Sequence, residues 1–191
     1  MIHRVSKKAF DTTLQKDKQI TEYLYRKVSS KDVHVWIEWM IHGLPWLSAS
    51  FLGLILAYTR GWSDDVQHTL LVLNIGLLMD IGVVGIIKFL VLRDRPFKIN
   101  RPSYEHKIDV YSFPSGHTSR AAMLVVIGNV MTSLNWRIFN LLPLIIGISR
   151  VILGRHYVTD VLAGILLGYF EGILVVSTPM SVNYWFRKVL Q

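Results

Sequence analysis

The 191-residue chain contains no cysteine, which excludes disulfide bonds, thiolate catalysis and zinc sites built on cysteine. Acidic residues are also few, since 13 aspartates and glutamates stand against 21 lysines and arginines, for a formal net charge of +8. No internal repeat or low-complexity linker is visible. The early cations Arg4, Lys7 and Lys8 are not followed by an apolar core, so the N-terminus does not have the pattern of a signal peptide. These absences indicate one basic domain without thiol chemistry.

Hydrophobic residues make up 51% of the chain, an unusual content for so basic a protein. The basic residues lie mainly at the ends of long apolar runs, as they do in membrane proteins with charged flanks. A nucleic-acid-binding protein would instead gather its lysines and arginines on a soluble face. The pattern therefore predicts a membrane protein and no nucleic-acid partner.

Five apolar runs come near the roughly 20 residues that a helix needs to cross a bilayer. They lie at residues 36–59, 67–92, 118–134, 138–153 and 159–178, and Pro45 predicts a kink in the first. Segment 7–31 has apolar residues at roughly helical spacing among many charges, which predicts an amphipathic helix on the membrane surface, with a solvated tail as the alternative. The fold prediction is an all-α integral membrane bundle of about five transmembrane helices, with an amphipathic N-terminal segment over 1–35 and a transmembrane domain over 36–191.

Two polar segments, 88–120 and 149–160, join these runs on one side of the membrane and are therefore predicted to converge. Arginine side chains match the geometry of phosphate oxygens, so such a cluster predicts an anion site at headgroup depth. Ordinary positive flanking charge is the alternative for any single arginine. The predicted cluster contains the following cations, histidines and acids of the two segments: Lys88, Arg93, Arg95, Lys98, Arg101, Arg120, Arg150, Arg155, His117, His156, Asp94, Glu105, Asp109 and Asp160.

Two histidines carry the predicted chemistry. His156 and Asp160 are four residues apart at the expected start of the last helix, so the carboxylate could accept a hydrogen bond from one ring nitrogen and leave the other as a nucleophile. In "FPSGH", Ser115 and the Gly116 amide offer donors at a helix N-terminus, and His117 could protonate a leaving oxygen. A zinc site of both histidines and the aspartate is the competing interpretation, which the surrounding cations disfavour.

Three sequence elements resemble the signature of the type 2 phosphatidic acid phosphatase (PAP2) superfamily. They are "KFLVLRDRP" from Lys88 to Pro96, "PSGH" at 114–117 and "SRVILGRHYVTD" at 149–160, and the resemblance extends from about residue 67 to 178. It implies hydrolysis of a phosphate ester or anhydride through a phosphohistidine, with no metal or other cofactor. His156 would be the nucleophile, Asp160 its orienter and His117 the general acid. The residues that would hold the phosphoryl oxygens are Lys88, Arg95, Ser115, Gly116 and Arg150.

Within the superfamily, "YSFPSGHTSRAA" and "SRVILGRHYVTDVLAG" look most like the polyisoprenoid diphosphate phosphatases, in the presqualene diphosphate phosphatase branch. The expected substrate is an isoprenoid diphosphate or monophosphate, such as presqualene or farnesyl diphosphate. Phosphatidic acid and lysophosphatidic acid are the alternatives. A soluble haloperoxidase, the other branch of the superfamily, is disfavoured by the apolar runs.

Two other classes of function remain open, a non-catalytic lipid-binding protein and a transporter. A transporter would use Asp80 and Glu171, which lie near the middle of their apolar runs, where carboxylates are often functional. The favoured interpretation is structural, with these carboxyls bonded to polar neighbours such as Asn74 or Asn129.

The charge distribution predicts the orientation in the membrane. Eight lysines and arginines precede residue 32, whereas the opposite side carries Arg60, Arg137, Arg187 and Lys188. The positive-inside rule therefore places the N-terminus and the site together in the cytosol, with a lumenal site as the alternative. The expected membrane is the endoplasmic reticulum or nuclear envelope in a eukaryote and the inner membrane in a bacterium. The expected partners are a lipid phosphate and the bilayer, and self-association is left open.

Overall fold

The computed structural model describes residues 2–28, 32–97, 110–133 and 136–190. Within these ranges the chain is helical, and the only β-type pairing is an isolated bridge between Asp94 and Tyr111. A 3-10 turn over Trp136–Phe139 precedes the sixth helix. The all-α prediction is thereby confirmed. The α-helices are α1 Ile2–Lys27, α2 Asp32–Met40, α3 Gly43–Thr59, α4 Asp64–Val91, α5 Gly116–Met131, α6 Leu142–Ile152, α7 Val158–Val176 and α8 Met180–Leu190.

The first predicted span is interrupted and forms two helices, α2 and α3. The break lies at Ile41 and His42, and Pro45 occupies the first turn of α3, where a proline is tolerated because that turn lacks intrahelical partners for its N–H groups. The indole N–H of Trp46 donates to the carbonyl oxygen of Met40 across the break, at 2.7 Å. The predicted kink is therefore a short break between two helices, at the residues just before Pro45.

Three helical stretches are long and apolar enough to cross a bilayer, namely Asp32–Thr59, Asp64–Val91 and Val158–Val176. The other two predicted spans contain α5, with 16 residues, and α6, with 11, which are shorter than this length. The outward faces of the long helices are apolar, as expected for contact with lipid. Examples of exposed side chains on these faces are Phe51, Leu52, Leu78, Ile86, Phe89, Leu166, Phe170 and Ile173.

Helix α5 lies in the centre of the bundle and packs closely against α7. On α7, a Cβ added at Gly168 would overlap the backbone carbonyl oxygen of Ser119, and one at Gly164 would come within 2.5 Å of the carbonyl oxygen of Ser115. Small residues allow helix backbones in membranes to approach one another in this way. The glycines of α7 therefore fix how near the N-terminus of α5 lies to the start of α7.

Helix α1 is docked on the bundle, in contrast to the alternative of a solvated tail. Asp17 and Thr21 are buried, whereas the neighbouring Lys16 and Lys18 are exposed, as an amphipathic helix requires. The ring of Tyr25 stacks on that of Phe97, with centroids 4.0 Å apart. Helix α8 was not among the predicted elements. The predicted polar residues Lys98, Arg101, Glu105 and Asp109 lie outside the described residues.

Replacing Gly168 with alanine should destabilise the protein, because the new methyl group would push α7 away from the α5 backbone. We expect a loss of about 1–3 kcal/mol, the usual cost of overpacking, seen as a lower apparent Tm in detergent. Gly82→Ala on α4 is the matched control, since a Cβ there meets no atom within 4 Å. An equal Tm for the two variants would contradict the close-packing account.

Candidate active site

The two polar segments converge, and they do so through the backbone. The amide of Ser112 donates to the carbonyl oxygen of Arg93 at 2.8 Å, which joins the residues before α5 to those after α4. The amide of Ser115 donates to the carbonyl oxygen of Asp160 at 3.1 Å, which joins the N-terminus of α5 to the first turn of α7. The ends of three helices therefore meet at one place.

His156 lies in the turn between α6 and α7, two residues before α7 begins, and not within the helix as predicted. Gly154 comes directly after Leu153, the C-cap residue of α6, and its backbone is left-handed, with φ of +67°. The turn that carries His156 begins there. A Cβ at Gly154 would lie 2.6 Å from Phe97 and 2.8 Å from Tyr25, so the stacked rings of α1 and the α4–α5 connection cover this turn. Only glycine fits both the backbone angle and the space.

The orientation of the His156 ring is set by a main-chain carbonyl. The Nδ1 atom lies 2.7 Å from the carbonyl oxygen of Ser112, and the side chain is buried. Because a carbonyl oxygen can only accept, Nδ1 must carry the proton, and Nε2 of the neutral ring then carries the lone pair. The geometry therefore produces the tautomer that a nitrogen nucleophile requires.

Asp160 does not accept the hydrogen bond that the sequence analysis assigned to it, since its Oδ2 lies 3.8 Å from Nδ1 of His156. The nearer carbonyl of Ser112 takes this place. Oδ2 instead accepts the backbone N–H of Tyr157 at 2.8 Å, and Oδ1 accepts Arg93 Nη1 at 2.6 Å. Asp160 is thus a fully buried carboxylate that caps α7 and holds the turn carrying His156.

The surroundings of His156 keep the ring neutral. Burial lowers its pKa well below the ordinary value, and the positive charges of Arg150, Arg95 and Lys88 lower it further. The hydrogen bond to Ser112 acts in the opposite direction and does not compensate. All three cations therefore lie near the His156 ring.

The N-terminus of α5 brings the second histidine to the site. Ser115 is the N-cap residue, Gly116 opens the helix and His117 follows in its first turn. The Ser115 hydroxyl lies 2.8 Å from Thr118 Oγ1, and its amide is already bonded to Asp160, so fewer Ser115 donors point into the site than the sequence suggested. Nε2 of His117 is buried and has no hydrogen-bond partner among the described residues.

Two of the cations near His156 come from the C-terminal turns of helices. Lys88 lies in the last turn of α4 and Arg150 in the last turn of α6, and both side chains are buried. Arg150 Nη1 forms an ion pair with Glu38 Oε1 at 2.9 Å, and Arg155 lies 3.7 Å from the other oxygen of Glu38. Glu38 comes from α2, so this helix contributes a carboxylate beside the predicted phosphate site.

Sequence reasoning missed Glu38, Asp17 and the carbonyl of Ser112, and it treated Arg93 as one anion-binding cation among several. No motif marks the first two carboxylates, because the contacts join residues far apart in the chain. The Ser112 contact uses a backbone carbonyl, which every residue type has, so no sequence pattern indicates it. Arg93 is committed to Asp17 at 3.0 Å and Asp160 at 2.6 Å.

Arg120 also departs from the prediction, because its guanidinium points into the bundle. It donates to Asp80 at 2.7 Å and to the carbonyl oxygen of Ile41 at 3.1 Å. Glu171 accepts a hydrogen bond from Ser119 at 3.1 Å. The structural interpretation of both carboxyls thus agrees with these contacts, although Asn74 and Asn129 are not their partners. Asn74 bonds to Ser50 and Leu70, and Asn129 to Asn140.

The donor set offers little to a metal ion. Among the described residues, no group of three or more histidine, aspartate or glutamate side chains is arranged to hold one. His156 lies near Arg150, Arg95 and Lys88, and His117 lies near Arg150 and Arg120, so the field at the two rings attracts anions.

A family profile described as the PAP2 superfamily matches residues 69–183, more than half of the sequence. The chain belongs to the PAP2 superfamily. All three sequence elements and the helices that carry them fall within the matched region or border it. The resemblance noted in the sequence is thereby confirmed, and the apolar helices make the chain a PAP2 membrane protein.

Three relatives of this chain are named as phosphatases of lipid phosphates. The chain is 32% identical over 140 residues to decaprenylphosphoryl-5-phosphoribose phosphatase of Mycobacterium tuberculosis, covering 71% of this chain and 72% of that protein. It is 34% identical over 139 residues to undecaprenyl-diphosphatase of Sulfolobus acidocaldarius, covering 69% and 62%. A probable lipid phosphate phosphatase beta of Arabidopsis thaliana is 33% identical over 141 residues, covering 58% of this chain and 66% of the plant protein.

The PAP2 fold is also shared with a solved structure. The crystal structure of a transmembrane PAP2-type phosphatidylglycerolphosphate phosphatase from Bacillus subtilis superposes with a TM-score of 0.64 at 26% identity. The superposition covers 86% of this chain and 85% of that one. It therefore includes the helices that carry the candidate site.

Replacing Gly154 with alanine should displace the turn that carries His156. We expect a lower apparent Tm than in Gly61→Ala, whose backbone is similarly left-handed, with φ of +64°, but whose Cβ would meet nothing within 4 Å. The control measures the backbone cost alone, about 1–2 kcal/mol, and the excess in Gly154→Ala measures the packing against Phe97 and Tyr25. Equal losses in thermal unfolding would contradict this packing role.

Proposed function

We propose that this PAP2 protein is a membrane-embedded phosphatase that hydrolyses isoprenoid diphosphates or monophosphates through a phosphohistidine on His156. The observation that carries the proposal is the His156 ring, fixed by the Ser112 carbonyl as the Nδ1–H tautomer in a field of three cations. A neutral imidazole nitrogen is a competent nucleophile toward phosphorus. The cations supply what the attack needs, since they attract the phosphate and stabilise its transition-state charge.

The proposed reaction has two steps. Nε2 of His156 attacks phosphorus in line with the leaving oxygen, so that an N–P bond forms as the P–O bond breaks. Burial and the neighbouring cations lower the pKa of His117 in the free site, so we propose that the bound phosphate anion raises it again and leaves the ring protonated. His117 then gives this proton to the leaving oxygen, which departs as the lipid monophosphate or the lipid alcohol. In the second step His117 takes a proton from water, the hydroxyl attacks phosphorus, and the N–P bond breaks to release inorganic phosphate.

Each of the remaining residues has a role in this scheme. Lys88, Arg95 and Arg150 would hold the equatorial phosphoryl oxygens, with Ser115 and the Gly116 amide at the N-terminus of α5. No step needs a metal ion, because these cations already supply the positive charge. The proposed metal independence is tested by assaying with a chelator.

A lipid substrate is supported by the position of α2. Its polar side chain Glu38 contacts Arg150 at the site, whereas Trp36 and Trp39 on the same helix are 73% and 57% exposed. Exposed tryptophans are typical of the membrane–water interface. A site covered by such a helix is reached from the headgroup layer, and presqualene and farnesyl diphosphate are the proposed substrates. Phosphatidic and lysophosphatidic acid are the second candidates, since the residues named above would bind the phosphate and not the tail.

The proposed orientation has the site on the side of the N-terminus and in the cytosol. Helix α1 supports a site on the side of the N-terminus, because Asp17 on this helix contacts Arg93 and Thr159 beside the site. The excess of lysine and arginine on that side supports a cytosolic location of the site.

Replacing His156 with alanine should abolish chelator-resistant release of phosphate from farnesyl diphosphate, by about a thousandfold or more, because no other group can form the N–P bond. The assay uses purified protein in detergent, with phosphatidic acid as the parallel substrate. His68→Gln is the control, since position 68 lies 20 residues before Lys88 on α4, about 30 Å away by helix rise. An active His156→Ala variant would refute the mechanism, and the ratio of the two lipid rates decides the substrate class.

The pH profile should reflect the lowered pKa of His156. Attack requires the neutral ring, and a lowered pKa means that the ring stays neutral as the pH falls through the ordinary histidine value of about 6.5. We therefore expect kcat/KM to fall on the acid side only below about pH 6.5, after correction for substrate ionisation measured by 31P NMR. An acid-side midpoint at or above that pH, with the correction made, would contradict the electrostatic account.

A further inference from the structure

Asp17 is an unusual residue on α1. The helix is amphipathic and its neighbours Lys16 and Lys18 are exposed, yet the Asp17 carboxylate is only 4% exposed. It accepts hydrogen bonds from Arg93 at 3.0 Å and from the backbone N–H of Thr159 at 3.3 Å, and also from the Thr159 hydroxyl. A buried carboxylate needs such partners, since its desolvation is costly. All of its partners lie at the candidate active site.

Arg93 connects Asp17 to the turn that carries the proposed nucleophile. Its Nη2 bonds to Asp17, and its Nη1 donates to Asp160 at 2.6 Å and to Thr159 Oγ1 at 2.7 Å. The guanidinium also stacks over the ring of Tyr157, with its central carbon 4.0 Å from the ring centroid. The planar arginine side chain can bind two carboxylates at once, which a lysine cannot do with the same geometry.

The chain of contacts continues to His156. Asp160 uses its second oxygen to accept the Tyr157 amide at 2.8 Å, and this oxygen is 3.8 Å from His156 Nδ1. Arg93 thus contacts Tyr157, Thr159 and Asp160, which are three of the four residues that follow His156 in the chain. A shift of α1 would be passed through Arg93 to Asp160 and to the turn.

We propose that Asp17 and Arg93 are positioning residues for the reaction, and that α1 is through them a part of the active site. The proposal rests on the proposed function of His156. Asp17 holds Arg93 between two carboxylates, Arg93 holds Asp160, and Asp160 fixes the turn that aims Nε2 of His156 at phosphorus. Neither Asp17 nor Arg93 touches the substrate. Small displacements of a reacting group are known to lower rates strongly, so this support acts on the chemical step.

The test measures kcat and KM of Asp17→Asn with farnesyl diphosphate in detergent, per folded enzyme. We expect kcat to fall roughly ten- to hundredfold, because the His156 turn is less well held. KM should stay within about twofold, because Lys88, Arg95 and Arg150 are not altered. Glu22→Gln and Lys18→Ala are control variants on the same helix and should keep the wild-type kcat. An unchanged kcat in Asp17→Asn overturns the proposal, and so does a loss explained wholly by a smaller folded fraction.

A double-mutant cycle separates positioning from general stabilisation. If Asp17 acts through Arg93, then adding Asp17→Asn to Arg93→Gln should lower kcat by less than twofold further, since the link is already broken. A rise in kcat over Arg93→Gln alone would support the same link, because that variant leaves Asp17 and Asp160 as neighbouring uncompensated carboxylates. Additive losses would overturn the proposal. Wild-type enzyme without chelator-resistant phosphate release would instead refute the proposed function itself, and the positioning role with it.

Discussion

The close approach of α5 and α7 is the contact on which the rest of the site depends. Gly164 and Gly168 let the α5 backbone lie directly against α7, and the Ser115 amide can then reach the carbonyl oxygen of Asp160. That distance determines how far the first turn of α5, with one histidine, stands from the turn before α7, with the other. Because packed helices in a membrane have little hydrophobic driving force between them, small residues and hydrogen bonds must supply this closeness.

Around that contact, charge is arranged in two separate ways. Arg93 and Arg120 are bound to buried carboxylates and hold elements together, Arg93 at the turn before α7 and Arg120 between α4, α5 and the α2–α3 break. Lys88, by contrast, faces His156, whose pKa it helps to lower. Arg150 does both, since it faces His156 and also pairs with Glu38. A buried arginine that lacks a counter-charge is strongly destabilising. Arg93 and Arg120 therefore stabilise the fold through their ion pairs, a role that the PAP2 sequence elements do not indicate.

The sequence predicts the helical fold and the meeting of its two polar segments, because apolar run length and helix alternation follow from local composition. It also identifies His156 and His117 as the central pair by spacing and by resemblance. It does not predict that Ser112 rather than Asp160 bonds to the His156 ring, because that contact uses a backbone oxygen 44 positions away. Nor does it predict Glu38 at the site, since nothing in a helix's own periodicity states which neighbour its polar face will meet. Long-range pairing is decided by packing.

The Arg120–Asp80 ion pair has a consequence for how the chain enters a membrane. Helix α5 has only 16 residues and carries Arg120 as its fifth residue, so by itself it is a poor segment for transfer into hydrocarbon. Helix α4 is long and apolar but carries Asp80 near its middle. Side by side, the two helices neutralise each other's charge at 2.7 Å. During biosynthesis α4, which precedes α5 in the chain, is therefore expected to enter the membrane together with α5 as a hairpin, so that this one ion pair couples the insertion of the two helices.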